Sequence, residues 1–86
     1  MPSGQAASSL VERGRALYDD QQYEESIQTL SAALLRPTTT PADKIETYRL
    51  LAYNFVVLGR TEEGEAAVRG LFVLQPDFKL PKGESP

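Results

Sequence analysis

The chain has 86 residues, 41% of them hydrophobic and 24% charged, which is the composition of a globular protein with one small domain. Its formal net charge is -3 at pH 7, and its acidic and basic residues are interspersed, so it has neither a basic stripe for nucleic acid nor a polybasic patch for a membrane surface. Cysteine and histidine are both absent, which excludes disulfide bonds, thiolate metal sites and histidine catalysis.

The sequence predicts no membrane segment. No run approaches the roughly 20 apolar residues that cross a bilayer, and residues 1–9 lack the basic start and the apolar run of a secretion signal. We therefore expect no membrane insertion and, by default, a cytoplasmic location.

Two helices are predicted in the first half of the chain. Small and apolar residues recur every three or four positions between Ala6 and Tyr18, as they do on one face of a helix. Polar residues 19–22 interrupt this pattern, which resumes from Tyr23 to Leu34 and is stopped by Pro37. We expect these two helices to form a helix-turn-helix unit.

The third predicted helix has clear start and stop signals. Thr40 can cap free backbone N–H groups, Pro41 suits the first helical position, and Asp43 adds negative charge to the first turn. Gly59 followed by Arg60 is typical of a helix C-terminus. Its main apolar face comprises Ile45, Tyr48, Leu51, Ala52, Phe55 and Leu58. We expect this helix to be the most buried of the set.

A fourth helix is predicted from Thr61, as its N-cap, to Pro76, which ends it. Glu62 and Glu63 follow the cap, where they complement the helix dipole. Its apolar face comprises Val68, Leu71 and Phe72. No segment alternates with period two for long enough to predict a strand, so the predicted fold class is all-α, with two antiparallel helix-turn-helix units.

The two halves of the chain align with each other at an offset of 38 residues. The aligned pairs are Leu10 with Tyr48, Gly14 with Ala52, Leu17 with Phe55, Leu30 with Val68, Ala33 with Leu71 and Leu34 with Phe72. Self-similarity at a fixed period is the sequence signature of helical repeats. The second helix pair is therefore predicted to repeat the first.

On these positions, from Leu10 to Pro76, the chain resembles the tetratricopeptide repeat family, whose unit of about 34 residues is a helix pair. Residues 37–41 supply the extra length. Small residues allow paired helices to approach closely, and here they are Gly14, Ser26, Ala52 and Gly64. A generic up-down four-helix bundle would show similar periodicity and is the alternative.

The resemblance implies that the first helix of each pair lines a concave surface, where residues that do not face the core are available to a partner. On this chain those residues are Val11, Arg15, Tyr18, Arg49, Leu50, Tyr53, Val56 and Val57. The set is unusually apolar for a solvated face, and the two arginines in it can bind a carboxylate. We predict that a bound peptide, a second copy or the chain's own tail covers Leu50, Tyr53, Val56 and Val57. Ordinary intrachain packing is the alternative.

The predicted domain spans residues 6–75, between a flexible N-terminus at residues 1–5 and an extended tail at residues 76–86. Repeat arrays normally end in a polar capping helix, and none is predicted here. We therefore expect Phe78 and Leu80 of the tail to pack on the last helix. An ending this abrupt suggests a fragment of a longer protein.

The sequence offers no recognisable catalytic constellation. Its acidic pairs are Asp19 with Asp20, Glu24 with Glu25 and Glu62 with Glu63, all at helix ends where solvation and the helix dipole account for them. No glycine-rich phosphate loop is present. We predict a non-catalytic adaptor or scaffold module, without cofactor or metal, that binds a peptide or protein through the concave face of the first and third helices. The alternative is a structural homodimer formed through the same apolar face.

Overall fold

The computed structural model describes residues 6–76. Four α-helices account for most of this part of the chain, and they are α1 (Ala7–Asp19), α2 (Tyr23–Leu34), α3 (Pro41–Val57) and α4 (Thr61–Leu74). Residues 6–76 contain no strand, so the predicted all-α class is confirmed. The expectations for residues 1–5, for Phe78 and for Leu80 lie outside the described residues.

The start of α3 is set by a capping box, as the sequence predicted. The Thr40 hydroxyl accepts a hydrogen bond from the Asp43 backbone N–H at 3.1 Å, and the Asp43 carboxylate accepts one from the Thr40 N–H at 3.5 Å. Pro41 occupies the first helical position, where no N–H is needed.

The predicted cap of α4 is wrong by one residue. Thr61 is the first helical residue, and Arg60 is the N-cap, with no side-chain capping hydrogen bond. The reason is the tight turn before α4, which returns the chain to helical geometry early. The Arg60 carbonyl already accepts the first helical hydrogen bond, from the Gly64 N–H at 3.0 Å.

Each helix pair is closed by the same backbone turn. Gln21 and Gly59 both have left-handed backbone conformation, with φ of 65° and 74°. In the first turn the N–H groups of residues 21 and 22 donate to the carbonyls of residues 18 and 17, at 2.9 and 2.8 Å. The second turn has the same bonds, from residues 59 and 60 to residues 56 and 55, at 3.1 and 2.8 Å. The 38-residue offset is therefore present in the backbone as well as in the sequence.

The helices stack in an open arrangement. α1 packs on α2, α3 packs on α4, and α3 also packs on both α1 and α2. Within residues 6–76 neither α1 nor α2 contacts α4. A closed up-down bundle brings its first and last helices together, so this arrangement differs from that alternative.

Close approach within each pair depends on a glycine. A Cβ atom on Gly14 would lie 2.5 Å from Cδ2 of Leu30, and one on Gly70 would lie 2.7 Å from Cε1 of Tyr48. The hydroxyl of buried Ser26 also donates to the Gly14 carbonyl at 2.7 Å. The prediction that small residues allow α1 and α2 to approach is confirmed for Gly14 and Ser26.

α3 is buried on two faces and contains more buried residues than any other described helix, as predicted. One face, with Tyr48 and Phe55, packs on α4 near Gly70 and Gly64. The other face packs on α1 and α2 and includes the buried residues Thr47, Leu50 and Asn54. The sequence analysis identified the first face but did not identify the polar members of the second.

The left-handed residue of each turn provides a test of the repeated backbone. A Cβ atom on Gly59 would contact nothing within 4 Å, so the cost of Gly59→Gln comes from its backbone alone. We expect Gly59→Gln to lower the free energy of unfolding by about 1 kcal/mol, and Gln21→Gly to raise it by about 0.5–1 kcal/mol, because only glycine adopts positive φ without a steric penalty. Urea unfolding monitored by circular dichroism measures both changes. Equal destabilisation by the two substitutions would contradict the shared turn geometry.

Candidate functional site

The structure divides the eight predicted partner-binding residues into three groups. Val11 and Leu50 are only 5% and 4% exposed and belong to the hydrophobic core, together with Leu10 and Leu30. The prediction that they are available to a partner is corrected, because the second face of α3 packs directly on α1 and α2 and buries them. Ordinary intrachain packing accounts for these two residues.

The two predicted arginines are already paired with an acidic residue of this chain. Nη2 of Arg15 lies 2.6 Å from Oε2 of Glu46, and Nη2 of Arg49 lies 2.7 Å from Oε1 of the same carboxylate. The hydrogen bond to Glu46 raises the pKa of Arg49 above its usual value. A partner carboxylate would have to compete with Glu46 for both guanidinium groups.

Tyr18 and Tyr53 contact each other across the α1–α3 interface. Their ring centroids are 6.2 Å apart, and Tyr18 also contacts Tyr23 edge to face at 5.6 Å. All three rings are half-buried. They use much of their apolar surface within the chain and leave only part of it on the predicted concave face.

Val56 and Val57 are the predicted residues that remain well exposed, at 70% and 49%. They end α3, next to the surface of α4, where Phe72 is 39% and Val73 is 79% exposed. Four of the five exposed large hydrophobic residues among residues 6–76 therefore lie around the C-terminal end of α3 and on α4, and the fifth is Leu35, just after α2. Contiguous exposed apolar surface is typical of interaction sites.

Part of this surface forms a groove of about 440 Å³ between α3 and α4, which we call the open groove. Its lining residues are Val56, Thr61, Gly64, Glu65, Val68, Arg69 and Phe72. The lining is mostly apolar, and the two charged residues on it are one turn apart on α4. The sequence analysis placed Val68 and Phe72 on the apolar face of the fourth helix. It predicted that the tail packs on this helix and did not predict a partner there.

The open groove has an equivalent in the first helix pair, which we call the filled groove. At the 38-residue offset, Val56, Gly64, Val68 and Phe72 correspond to Tyr18, Ser26, Leu30 and Leu34. The filled groove holds α3, and as a result Ser26 and Leu30 are fully buried. The same positions in the open groove have no helix of residues 6–76 packed over them.

A buried polar contact anchors α3 in the filled groove. The side-chain amide of Asn54 donates to the Ser26 hydroxyl at 3.0 Å and to the Leu50 carbonyl at 3.0 Å. Asn54 is fully buried, and its Oδ1 atom has no hydrogen-bond partner among residues 6–76. The open groove lacks an equivalent anchor, because Gly64 replaces Ser26.

Arg60, which follows the end of α3, forms ion pairs with residues of α2 and α4. Its guanidinium lies 3.2 Å from Oε2 of Glu24 on α2 and 2.8 Å from Oε1 of Glu63 on α4, and it stacks over the Phe55 ring at 5.2 Å. The hydrogen bonds with Glu63 raise the pKa of Arg60 and lower that of Glu63. Two of the acidic side chains from the predicted acidic pairs therefore have structural partners.

Residues 6–76 hold no group of three or more acidic, histidine or cysteine side chains placed to bind a metal ion. None of the four helices is long and apolar enough to cross a membrane. The open groove is therefore the main candidate site in the part of the chain that the structure describes.

No protein-family model, no curated protein and no solved structure matches the chain. The resemblance to tetratricopeptide repeats stays a prediction.

The anchor in the filled groove can be tested with a double-mutant cycle. We expect Ser26→Ala to lower the free energy of unfolding by about 1–2 kcal/mol, because it leaves the buried Asn54 amide with one acceptor fewer. In an Asn54→Leu background the same change should cost only about 0.5 kcal/mol, because the amide that needs the hydroxyl is gone. Denaturant unfolding measures both values. Ser31→Ala, at an exposed position of α2, is the matched control, and equal costs of Ser26→Ala in both backgrounds would contradict the anchor.

Proposed function

We propose that this chain is a non-catalytic adaptor or scaffold module that binds another protein or peptide. The observation that supports the proposal is the open groove, an apolar surface whose equivalent in the first helix pair is covered by a helix. Apolar side chains such as Val56, at 70% exposure, gain free energy when a partner removes them from water.

The proposal keeps Val56 and Val57 from the predicted concave face and extends the contact surface onto α4. Arg15 and Arg49 are occupied by Glu46, and Leu50 is buried, so the remainder of the concave face offers less free surface. A tetratricopeptide-like architecture is part of the proposal. It is supported by the open stacking of the helices and by the two matching turns at Gln21 and Gly59.

A binding role is favoured over an enzymatic one by the chemistry of the chain. The sequence has no histidine or cysteine, and Glu24 and Glu63 are paired with Arg60 at exposed helix ends. Carboxylates in such places are ordinary stabilising charges near helix N-termini.

A homodimer is the second candidate. It is favoured by Val57 and Val73, which are 49% and 79% exposed yet lie outside the open groove, so that the apolar surface is wider than the groove alone. Two copies related by a twofold axis could cover such a surface mutually.

The binding surface can be tested by affinity capture from the source cell with three versions of the protein. We expect a specific partner to be retained by the wild type and lost, by at least about tenfold, with Val56→Glu combined with Val57→Glu, because a charge then replaces buried apolar contact. Val73→Glu is the control, since it places one glutamate on an exposed valine outside the groove. Capture that is equal for all three versions would contradict this surface.

The homodimer is tested separately by analytical ultracentrifugation of the isolated chain. A sedimentation coefficient that stays at the monomer value from micromolar to millimolar concentration would exclude the dimer. A concentration-dependent increase that Val56→Glu with Val57→Glu abolishes would establish it and would replace the adaptor role.

A further inference from the structure

We infer that the open groove binds an amphipathic α-helix of a partner protein, antiparallel to α4, with a basic residue just beyond its C-terminal end that pairs with Glu62. This inference rests on the proposed function and specifies the kind of partner. Its basis is that the molecule already contains one complete example of this contact, namely α3 in the filled groove.

The filled groove shows how such a helix would lie. α3 runs antiparallel to α2, so that its C-terminal part packs near the start of α2, where Asn54 reaches Ser26. The positions that line the open groove are related to those of the filled groove by the same 38-residue offset that relates the two turns. A helix placed on α3 and α4 as α3 lies on α1 and α2 would cover Val56, Val68 and Phe72.

The base of the open groove indicates which side chains the partner helix presents. Gly64 stands in place of the Ser26 hydroxyl, and a Cβ atom on Gly64 would lie 3.5 Å from the nearest side-chain atom, Cβ of Phe55. That is an ordinary contact distance, and Gly64 lines the groove without contributing a polar side chain. A leucine or another large apolar residue suits the position that corresponds to Asn54, because an amide buried at this point would have no hydroxyl to bond with.

Charges at the end of the groove set the direction of the helix. Glu24, at the start of α2, receives Arg60, which follows the end of α3. Glu62 is the residue of α4 that corresponds to Glu24, is exposed, and forms no ion pair with residues 6–76. A basic residue that follows the partner helix would therefore meet Glu62 as Arg60 meets Glu24.

The first helix of a second copy does not suit this groove. In α3 the face that fills the groove has Thr47, Leu50 and Asn54, and the corresponding residues of α1 are Ser9, Glu12 and Ala16. All three are exposed in the structure. Docking of α1 in this way would place the Glu12 carboxylate where α3 places a buried leucine, at a large desolvation cost.

The chain's own tail does not suit the groove as a helix either. Pro76 and Pro81 leave only four residues between them, and proline interrupts a helix. Residues 76–86 therefore cannot supply a helix comparable with α3, which has 17 residues.

The test uses a synthetic peptide that has the sequence of residues 41–60 of this chain with the substitution Asn54→Leu. The leucine side chain suits the part of the groove that Gly64 lines. The peptide also has Tyr48→Gln and Phe55→Gln, which remove the two aromatic residues of the face that packs on α4 in the intact chain. We expect it to bind the full chain, with shifts in ¹⁵N–¹H spectra that cluster at Val56, Gly64, Val68 and Phe72. Val56→Glu should weaken binding by at least about tenfold, and Val73→Glu by less than about twofold.

A separate experiment tests the ion pair with Glu62. Glu62→Gln should weaken binding of the peptide by about threefold at low salt and have no effect at high salt, because the exposed ion pair is screened. Glu12→Gln, on α1, is the matched control. Loss of affinity that is equal in the two variants, or that does not depend on salt, would contradict the proposed orientation.

Four results would overturn the inference. They are failure of the peptide to bind, shifts centred on Ser26 and Leu30 instead, a monomer–dimer equilibrium that competes with the peptide for the open groove, and a large gain in affinity when Phe78→Ser and Leu80→Ser are combined. The last two would identify a second copy or the tail as the occupant. If the peptide fails while cellular capture still depends on Val56 and Val57, the proposed adaptor function stands and only the helical mode is wrong.

Discussion

The rest of the structure depends on the burial of α3 on two faces. One face packs on α4, and the other packs on α1 and α2, so that a single helix joins two hairpins that share no other helix contact within residues 6–76. A chain of this size buries a small fraction of its surface compared with larger proteins, and isolated helical hairpins are marginal in water. The contacts of α3 therefore join the two helix pairs into one domain.

Polar groups give this interface its register. Asn54, Thr47 and Ser26 are fully buried, and the Asn54 amide reaches the Ser26 hydroxyl across the interface. Apolar packing alone tolerates sliding of one helix along another, whereas a buried amide that loses its acceptor has a large cost. At the ends of the same interface, Glu46 bridges Arg15 and Arg49, and Arg60 reaches Glu24. These exposed contacts add little stability but agree with the same alignment of the helices.

Local signals in the sequence predicted most of the fold. The Thr40 cap, Pro41 and the glycine at the end of α3 act within a few residues, so their effects can be inferred without knowledge of the tertiary structure. The Thr61 cap was wrong because the preceding turn determines where α4 begins. Gln21 gave no sequence signal for its left-handed turn, since glutamine seldom adopts that conformation. Only the repeat alignment with Gly59 could have indicated it.

The candidate site was predicted less well, for a physical reason. Periodicity shows that a residue lies on an apolar face, but it does not show what covers that face. Leu50 and Val56 both belong to the almost continuously apolar end of α3, yet the first is 4% exposed and the second is 70% exposed. The difference depends on which groove each residue faces, and the filled groove was identifiable only once α3 was seen to lie in it.

The two grooves differ in a way that bears on binding. Glu65 and Arg69 of the open groove correspond to Ile27 and Ser31 of the filled one, so charges replace uncharged residues along the edge while Val68 and Phe72 keep the base apolar. Interfaces between proteins commonly have an apolar centre and a polar rim. The open groove has this arrangement, and it is this difference from the filled groove that supports the proposed partner in trans.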